Sequence, residues 1–398
     1  MSKSSLLRRF YIGVAFLYGS GNLWTTLFLW QMLALTHSSL FVAAAAAASA
    51  IPVIVVGFMG PAHGFGRRMG VWLATTGAAL GILVFWVAHS PWAVLGVGVW
   101  EGWVNAQTIP HAQAWMMAQI KTEDAAKASA RFEMASRLGM VAGPLVGGAL
   151  LTASGVVLAW EAAALLLLAA GGLWWTVVLV EERHGHADIP SRQKDAWRVL
   201  RQDGFLMTAL GVRAGANLLW PAFTVAIPLL IHNPWHARAI GYGTIRTLWG
   251  LSTVVGTWLV IPRLGRHLRI AYFLSWTLTG IAFWRIGLSS HLVAAFIWVV
   301  VGAVFSPVVH VALDSHIGTA VVQTRQSSVF AIQRLVMAVV NLAGLFLVVG
   351  ILRQMSPGVA LSQAGLVMAA VSVIGLGLWG VRNFRAMRQS VLSEHDGV

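Results

Sequence analysis

The stretch "GMVAGPLVGG", Gly139 to Gly148, places four glycines and a proline within ten residues. In water, each such residue inside a helix costs ~1 kcal/mol (glycine) or ~3 kcal/mol (proline) relative to alanine. Yet the sequence on both sides is apolar and long enough to be helical. Lipid resolves the conflict. Hydrocarbon gives helices no hydrophobic reason to associate, so small residues at helical spacing serve as the contact by letting two backbones approach. Gly139, Gly143 and Gly147 recur every four residues and so form one side-chain-free stripe. Pro144 adds a bend whose freed carbonyl a neighbouring helix can cover.

Composition points to the same solvent. Of 398 residues, 58% are hydrophobic and 10% charged, where a soluble domain carries about 25% charged residues. Twelve apolar runs predict membrane-spanning helices, roughly at 10–34, 40–60, 70–88, 91–119, 131–153, 156–180, 205–231, 239–261, 270–289, 292–318, 327–352 and 358–381. The fold class expected is therefore an all-α membrane protein.

The formal charge of +14 is distributed as topology rather than as a polynucleotide groove. With the N-terminus inside, Lys3, Arg8, Arg9, Arg67, Arg68, Lys121, Lys127 and Arg131 fall on the cytoplasmic side, as do the basic residues of the central linker and of the C-terminal tail. The opposite loops hold only Arg238 and Arg353. This positive-inside pattern predicts that both termini are cytoplasmic, with no nucleic-acid partner and with lipid contacts at the basic face. There is no cysteine, so disulfides and thiolate metal sites are excluded. No small-residue cleavage site follows the first apolar run, which is expected to remain as an anchor. The arginine- and alanine-rich usage suits a bacterial inner membrane.

"EERHGHADIPSRQKDAWRVLRQDG", Glu181 to Gly204, is the longest polar interruption and divides the chain into 1–180, a linker at 181–204, and 205–398. "AWRVLRQ" within it has the pattern of a short helix lying on the membrane. The two halves repeat. "VVG" at Val55–Gly57 returns at Val254–Gly256 and Gly66-Arg67 returns at Gly265-Arg266, each 199 residues on, while Arg137-Leu138, Pro110 and Gly147 return at Arg334-Leu335, Pro307 and Gly344, each 197 residues on. A near-constant offset over four regions implies duplication of a six-helix unit, an architecture that builds a midplane site and opens it alternately to each side.

With these features the sequence resembles the major facilitator superfamily. Gly139, Gly143, Pro144, Gly147 and Gly148 are similar to the "G-x3-G-P-x2-G-G" motif of the fifth helix in its drug:proton antiporters. The resemblance implies twelve helices in two bundles, alternating access, and a small-molecule substrate exchanged against protons by a monomer without cofactor. The loop between helices 2 and 3, usually "G-x-L-A-D-R-x-G-R-R", reads "MGPAHGFGRR" here. Gly66, Arg67 and Arg68 fit, but His63 stands where the aspartate belongs. The second copy keeps Gly265 and Arg266, with Pro262 at the aspartate position. The helix 4 motif "R-x-x-Q-G" becomes Gly98, Glu101 and Gly102, which removes the arginine and puts an acid in place of the glutamine.

Ionisable residues inside spans mark function by default. Nine of the thirteen acids fall in loops or tails, leaving Glu101, Glu133, Glu161 and Asp314. Glu101 sits about 15 Å from the outer end of its helix, near the midplane. Glu133 is one turn from Arg137 and suits a local ion pair. Asp314, one turn from His310, suits a gate or a local contact. The proton-coupling candidates are Glu101, Asp314 and Glu161. The cavity candidates are Asn22, Trp24, Gln31, Trp103, Asn105, Gln107, His111, Arg213, Asn217, Trp220, Arg246 and His310. The sequence has no "G-x4-G-K-[ST]", no metal-ligand cluster and no nucleophile motif, so neither enzyme chemistry nor ATP hydrolysis is expected, and no metal. Proton-coupled efflux of small amphipathic molecules is the leading expectation. An importer or exchanger of a polar or anionic solute, a lipid or lysolipid flippase, and a transport-inactive receptor are the alternatives.

Overall fold

The computed structural model describes residues 3–36, 39–59, 65–153, 155–181, 193–232, 235 and 239–395. The described residues form helices and no strands: α1 (Lys3–Thr36), α2 (Ser39–Met59), α3 (Phe65–His89), α4 (Pro91–Ala118), α5 (Ala125–Ala153), α6 (Gly155–Glu181), α7 (Gln193–Gln202), α8 (Gly204–His232), α9 (Ala239–Leu259), α10 (Ile261–Leu264), α11 (Leu268–Gly287), α12 (Leu292–Ala320), α13 (Gln323–Leu352) and α14 (Pro357–His395). All but α7 and α10 have twenty residues or more, and about twenty cross a hydrocarbon core.

Among the described residues, five segments are apolar enough to cross a membrane on composition alone: Val156–Thr176, Gly204–Ile231, Leu292–Ala320, Gln323–Leu352 and Pro357–Phe384. Other long helices bury polar residues among their apolar ones. Examples are Ser129, Glu133 and Ser136 of α5 and Ser252, Thr253 and Thr257 of α9. Large apolar side chains point outward instead, among them Ile82, Trp92, Trp258, Ile297, Phe346 and Ile374. Exposed apolar surface on this scale suits lipid and would aggregate in water.

The helices form two compact units. The first comprises Met1–Gln193 with Gly318–Ala338, and the second Lys194–Ile317 with Val339–Val398. The stretch Gly318–Ala338 lies within the 205–398 half by sequence but joins the first unit. There Arg334 donates to the Tyr18 hydroxyl at 3.2 Å, and Val329, Phe330, Ile332 and Leu335 are buried.

Packing within the units echoes the sequence repeat. In the first, α6 packs on α3 and α1. In the second, α14 packs on α11 and α8, the corresponding helices of the second half. Small residues carry these contacts: Gly77 and Gly171 where α3 meets α6, and Gly280 and Gly365 where α11 meets α14. Aromatic clusters fill the remaining space. Phe10 stacks on Trp174 at 5.7 Å while the Trp174 indole donates to the Phe10 carbonyl at 3.1 Å. In the second unit Phe223 stacks on Phe283 at 4.8 Å beside Trp220 and Trp249.

Two local features depart from a plain bundle. Gly265 closes the turn after α10 with φ 47° and ψ −121°, a region essentially confined to glycine. The helix α7 buries Ala196 and Leu200, so its apolar stripe faces protein, where the sequence pattern alone suggested the membrane surface. Immediately after α7, Asp203 caps α8, accepting from the Phe205 and Leu206 amides at 2.9 and 2.8 Å through Oδ1. Its Oδ2 meets His316 Nε2 of α12 at 2.8 Å.

Burial pushes the Asp203 carboxyl up, but the His316 hydrogen bond, the two amides and the imidazole's charge outweigh it and hold the group below its ordinary 3.8. A carboxylate with a depressed folded pKa contributes stability that is fully present above the unfolded value and is lost as pH falls through the folded one. Removing the cap with Asp203→Ala is expected to cost about 1 kcal/mol at neutral pH. Asp203→Asn keeps the cap and flattens the acid limb of a plot of thermal midpoint against pH below the ordinary carboxylate value of 3.8. Unchanged acid sensitivity in the asparagine variant would place the acid-labile contact elsewhere.

Candidate functional site

The helix α4 starts where Ser90, in extended backbone, accepts from the Ala93 amide at 3.4 Å and Pro91 opens the first turn. Ten residues on, at about 15 Å, Glu101 faces a small cavity of about 10 Å³, room for about one water. Leu17, Ser20, Gly21 and Trp24 of α1, Thr76 of α3, Val104 and Asn105 of α4 and Leu167 of α6 complete its lining.

Each side of this site has a local cause. Asn105, one turn along, donates its Nδ2 to Glu101 Oε1. Gly21 leaves room for the carboxylate, whose Oε1 lies 3.4 Å from where a Cβ would stand. On the adjoining face of α4, Gly102 packs against the backbone of Ser49 in α2, with the Ser49 Cα 2.9 Å from a Cβ built there. These contacts pin α4 between α1 and α2 and fix the direction in which Glu101 projects. Ser20 is turned away, donating to the Ala163 carbonyl at 2.9 Å. Trp24 is buried with its Nε1 unpartnered among the described residues, a spare donor on the same cavity. The described ion pairs do not include Glu101.

The structure thus brings together Trp24, Glu101 and Asn105 from the predicted set. It separates others. Trp103 is 37% exposed and Glu161 is half-buried on α6, and neither lines this cavity. Asn22 bonds back to the Tyr18 carbonyl at 2.8 Å, Gln31 is buried, and His111 Nδ1 meets the carbonyl of Gln107 at 2.7 Å within α4. Glu133 pairs with Arg137 at 2.7 Å. Ser20, Gly21 and Thr76 are cavity residues that sequence reading missed, being small and uncharged.

In the second unit, Arg213 Nη2 donates to His310 Nδ1 at 2.9 Å, Asn217 donates to the Arg213 carbonyl at 2.9 Å, and Asp314 is buried one turn from His310. Trp220 belongs to the aromatic cluster, 5.3 Å from Trp249. The side chains at Pro144, Gly147, Gly148, Gly66, Arg67, Arg68, Arg246 and Arg266 lie outside the described residues, as does His63. Gly139 and Gly143 face α1: a Cβ at Gly139 would come within 2.6 Å of the Gly19 nitrogen, and one at Gly143 within 2.9 Å of the Leu23 nitrogen. Among the described residues, histidine and acidic side chains form no group of three that could hold a metal.

The profile of the Major Facilitator Superfamily matches residues 10–345. The chain belongs to this superfamily. Solved structures of facilitators share the fold. The human organic anion transporter MFSD10 (TETRAN) is 13% identical, with a TM-score of 0.69 over 95% of this chain and 100% of that one. A bacterial homologue of the iron transporter ferroportin, outward-facing with soaked iron, is 13% identical, with a TM-score of 0.73 over 95% and 98%. The same homologue outward-facing gives 0.74 over 94% and 98% at 13% identity. No curated protein sequence matches. Membership makes the chain a membrane transporter of a small molecule, a class that generally performs no enzymatic chemistry.

Proposed function

We propose that this facilitator is a proton-coupled secondary exporter of small amphipathic molecules, working by alternating access as a monomer in a bacterial inner membrane with both termini cytoplasmic. The observation that carries the reading is Glu101. It is a carboxylic acid about 15 Å into its helix, on a cavity of one-water size, with Asn105 as its hydrogen-bond partner. A carboxylate held by a cation would stay ionised through the cycle. Glu101 has an amide partner that serves either protonation state, because the Asn105 side chain both donates and accepts. The large difference in solvation between charged and neutral forms then ties proton occupancy to how each conformation hydrates the site.

The test is growth of a deletion strain on a panel of lipophilic amines, dyes, organic acids and metal chelators. Hypersensitivity to amphipathic compounds, restored by the wild-type gene and not by Glu101→Gln, is expected. Sensitivity confined to chelators, or full rescue by the variant, would refute the reading. Orientation has its own check, because the chain has no cysteine. In intact cells an impermeant maleimide is expected to label Ser90→Cys and leave Thr122→Cys unlabelled until the membrane is opened. The reverse pattern would invert the topology.

A further inference from the structure

The second unit contains a buried donor cluster with too few acceptors. Arg213 on α8 is 8% exposed and permanently cationic. Its Nη2 is used on His310 Nδ1 at 2.9 Å, which fixes His310 as the neutral tautomer protonated at Nε2. Its Nη1 is buried without a partner among the described residues, and none of the described salt bridges reaches it. Asp314, one turn beyond His310, is buried and partnered.

A second spare donor stands beside it. Tyr272 on α11 donates its hydroxyl to the Ala209 carbonyl of α8 at 2.7 Å, one helical turn before Arg213. Trp276, one helical turn beyond Tyr272 on α11, has its Nε1 buried without a partner among the described residues. Two unsatisfied donors, one charged, thus each stand one helical turn from the contact between Tyr272 and Ala209. Each buried, unmade hydrogen bond is costly, and a charged one more so, and a lone buried charge is retained where something pairs with it.

We infer that Arg213 and Trp276 form a recognition site for a compact oxyanion, the carboxylate of the transported molecule. The inference goes beyond proton coupling and does not depend on Glu101. It names the polar end of the amphipathic cargo. A planar carboxylate matches the guanidinium fork, and the indole N–H adds a donor from a second helix. Depth selects the source. Arg213 stands nine residues into α8, about 14 Å, near the middle of a ~30 Å core. Lipid headgroups lie at the interface.

Thermal unfolding of the purified, detergent-solubilised full chain tests this with three pairs of probes: acetate against acetamide, benzoate against benzamide, and decanoate against decanamide. At least one carboxylate is expected to raise the midpoint by several degrees where its amide does not. Arg213→Gln should weaken that carboxylate at least tenfold, Trp276→Phe severalfold, and Arg213→Lys less than glutamine does. Glu101→Gln should bind as wild type, which separates this site from the proton-coupling reading. The comparison of acids with amides needs only wild-type protein, so it stands if the arginine variants fail to fold. Carboxylates and amides acting alike across all three pairs would overturn the inference. So would undiminished carboxylate binding by Arg213→Gln, or Arg213-dependent stabilisation by phosphatidylglycerol with no effect of any carboxylate.

Discussion

Glu101→Gln is expected to lose all accumulation driven by a pH gradient and still to exchange substrate across the membrane. The substitution keeps the size and hydrogen-bonding capacity of the side chain, so Asn105 and the cavity that Leu17, Trp24 and Thr76 help to line persist. What it removes is the titratable proton. In proteoliposomes with an acidic lumen and a substrate found by the growth panel supplied outside, outward proton flow should drive concentration of the substrate inside by the wild type and only equilibration by the variant. Counterflow at matched pH should proceed within about twofold of wild type, because exchange at equal pH requires no net proton movement. Accumulation by the variant at the wild-type level would make Glu101 structural and move coupling to Asp314, Glu161 or a histidine.

Gly143→Leu is expected to insert into the membrane yet transport at least tenfold more slowly. Leucine is more apolar than glycine, so membrane insertion is not impaired. The damage comes at the contact between α1 and α5. The first atom of the new side chain already lies 2.9 Å from the Leu23 nitrogen and 3.1 Å from the Asn22 Cβ, and real Cβ atoms stay farther from backbone. Overpacking a flexible core costs about 1–3 kcal/mol, and a helix backbone yields less readily than a side chain. Gly143→Ala should be intermediate. The paired measurements are monodisperse yield by fluorescence-detected chromatography and counterflow rate. Normal transport by the leucine variant would remove the close-packing role from this stripe.

The parts of this architecture that announce themselves in sequence are those set by the solvent and by one-dimensional spacing. Apolar runs locate the helices because lipid leaves the backbone no other partner. The every-fourth glycines of α5 show a smooth stripe before its partner helix is known. Glu101 stands out because an acid in an apolar run is rare. Partnerships across long separations are invisible at that level. Asp203 reads as one more linker acid, yet it caps α8 and meets His316, 113 residues away. Helical periodicity shows that Trp24 and Trp103 each have a face, but only the neighbours decide that Trp24 turns to the cavity and Trp103 outward. The same limit applies to α7, whose stripe suits a membrane surface as well as the protein that covers Ala196 and Leu200. The spare donors of Arg213 and Trp276 emerge only when hydrogen bonds are counted in three dimensions.

The claim that Glu101 takes up and releases a proton is tested most directly by difference infrared spectroscopy on purified protein during a pH titration, with no substrate needed. A carboxylic-acid C=O band should grow as pH falls, shift in deuterated water, and be missing from the Glu101→Gln difference spectrum while the other carboxyl bands remain. An identical set of protonation bands in wild type and variant would show that Glu101 does not titrate, contradicting proton coupling through this site.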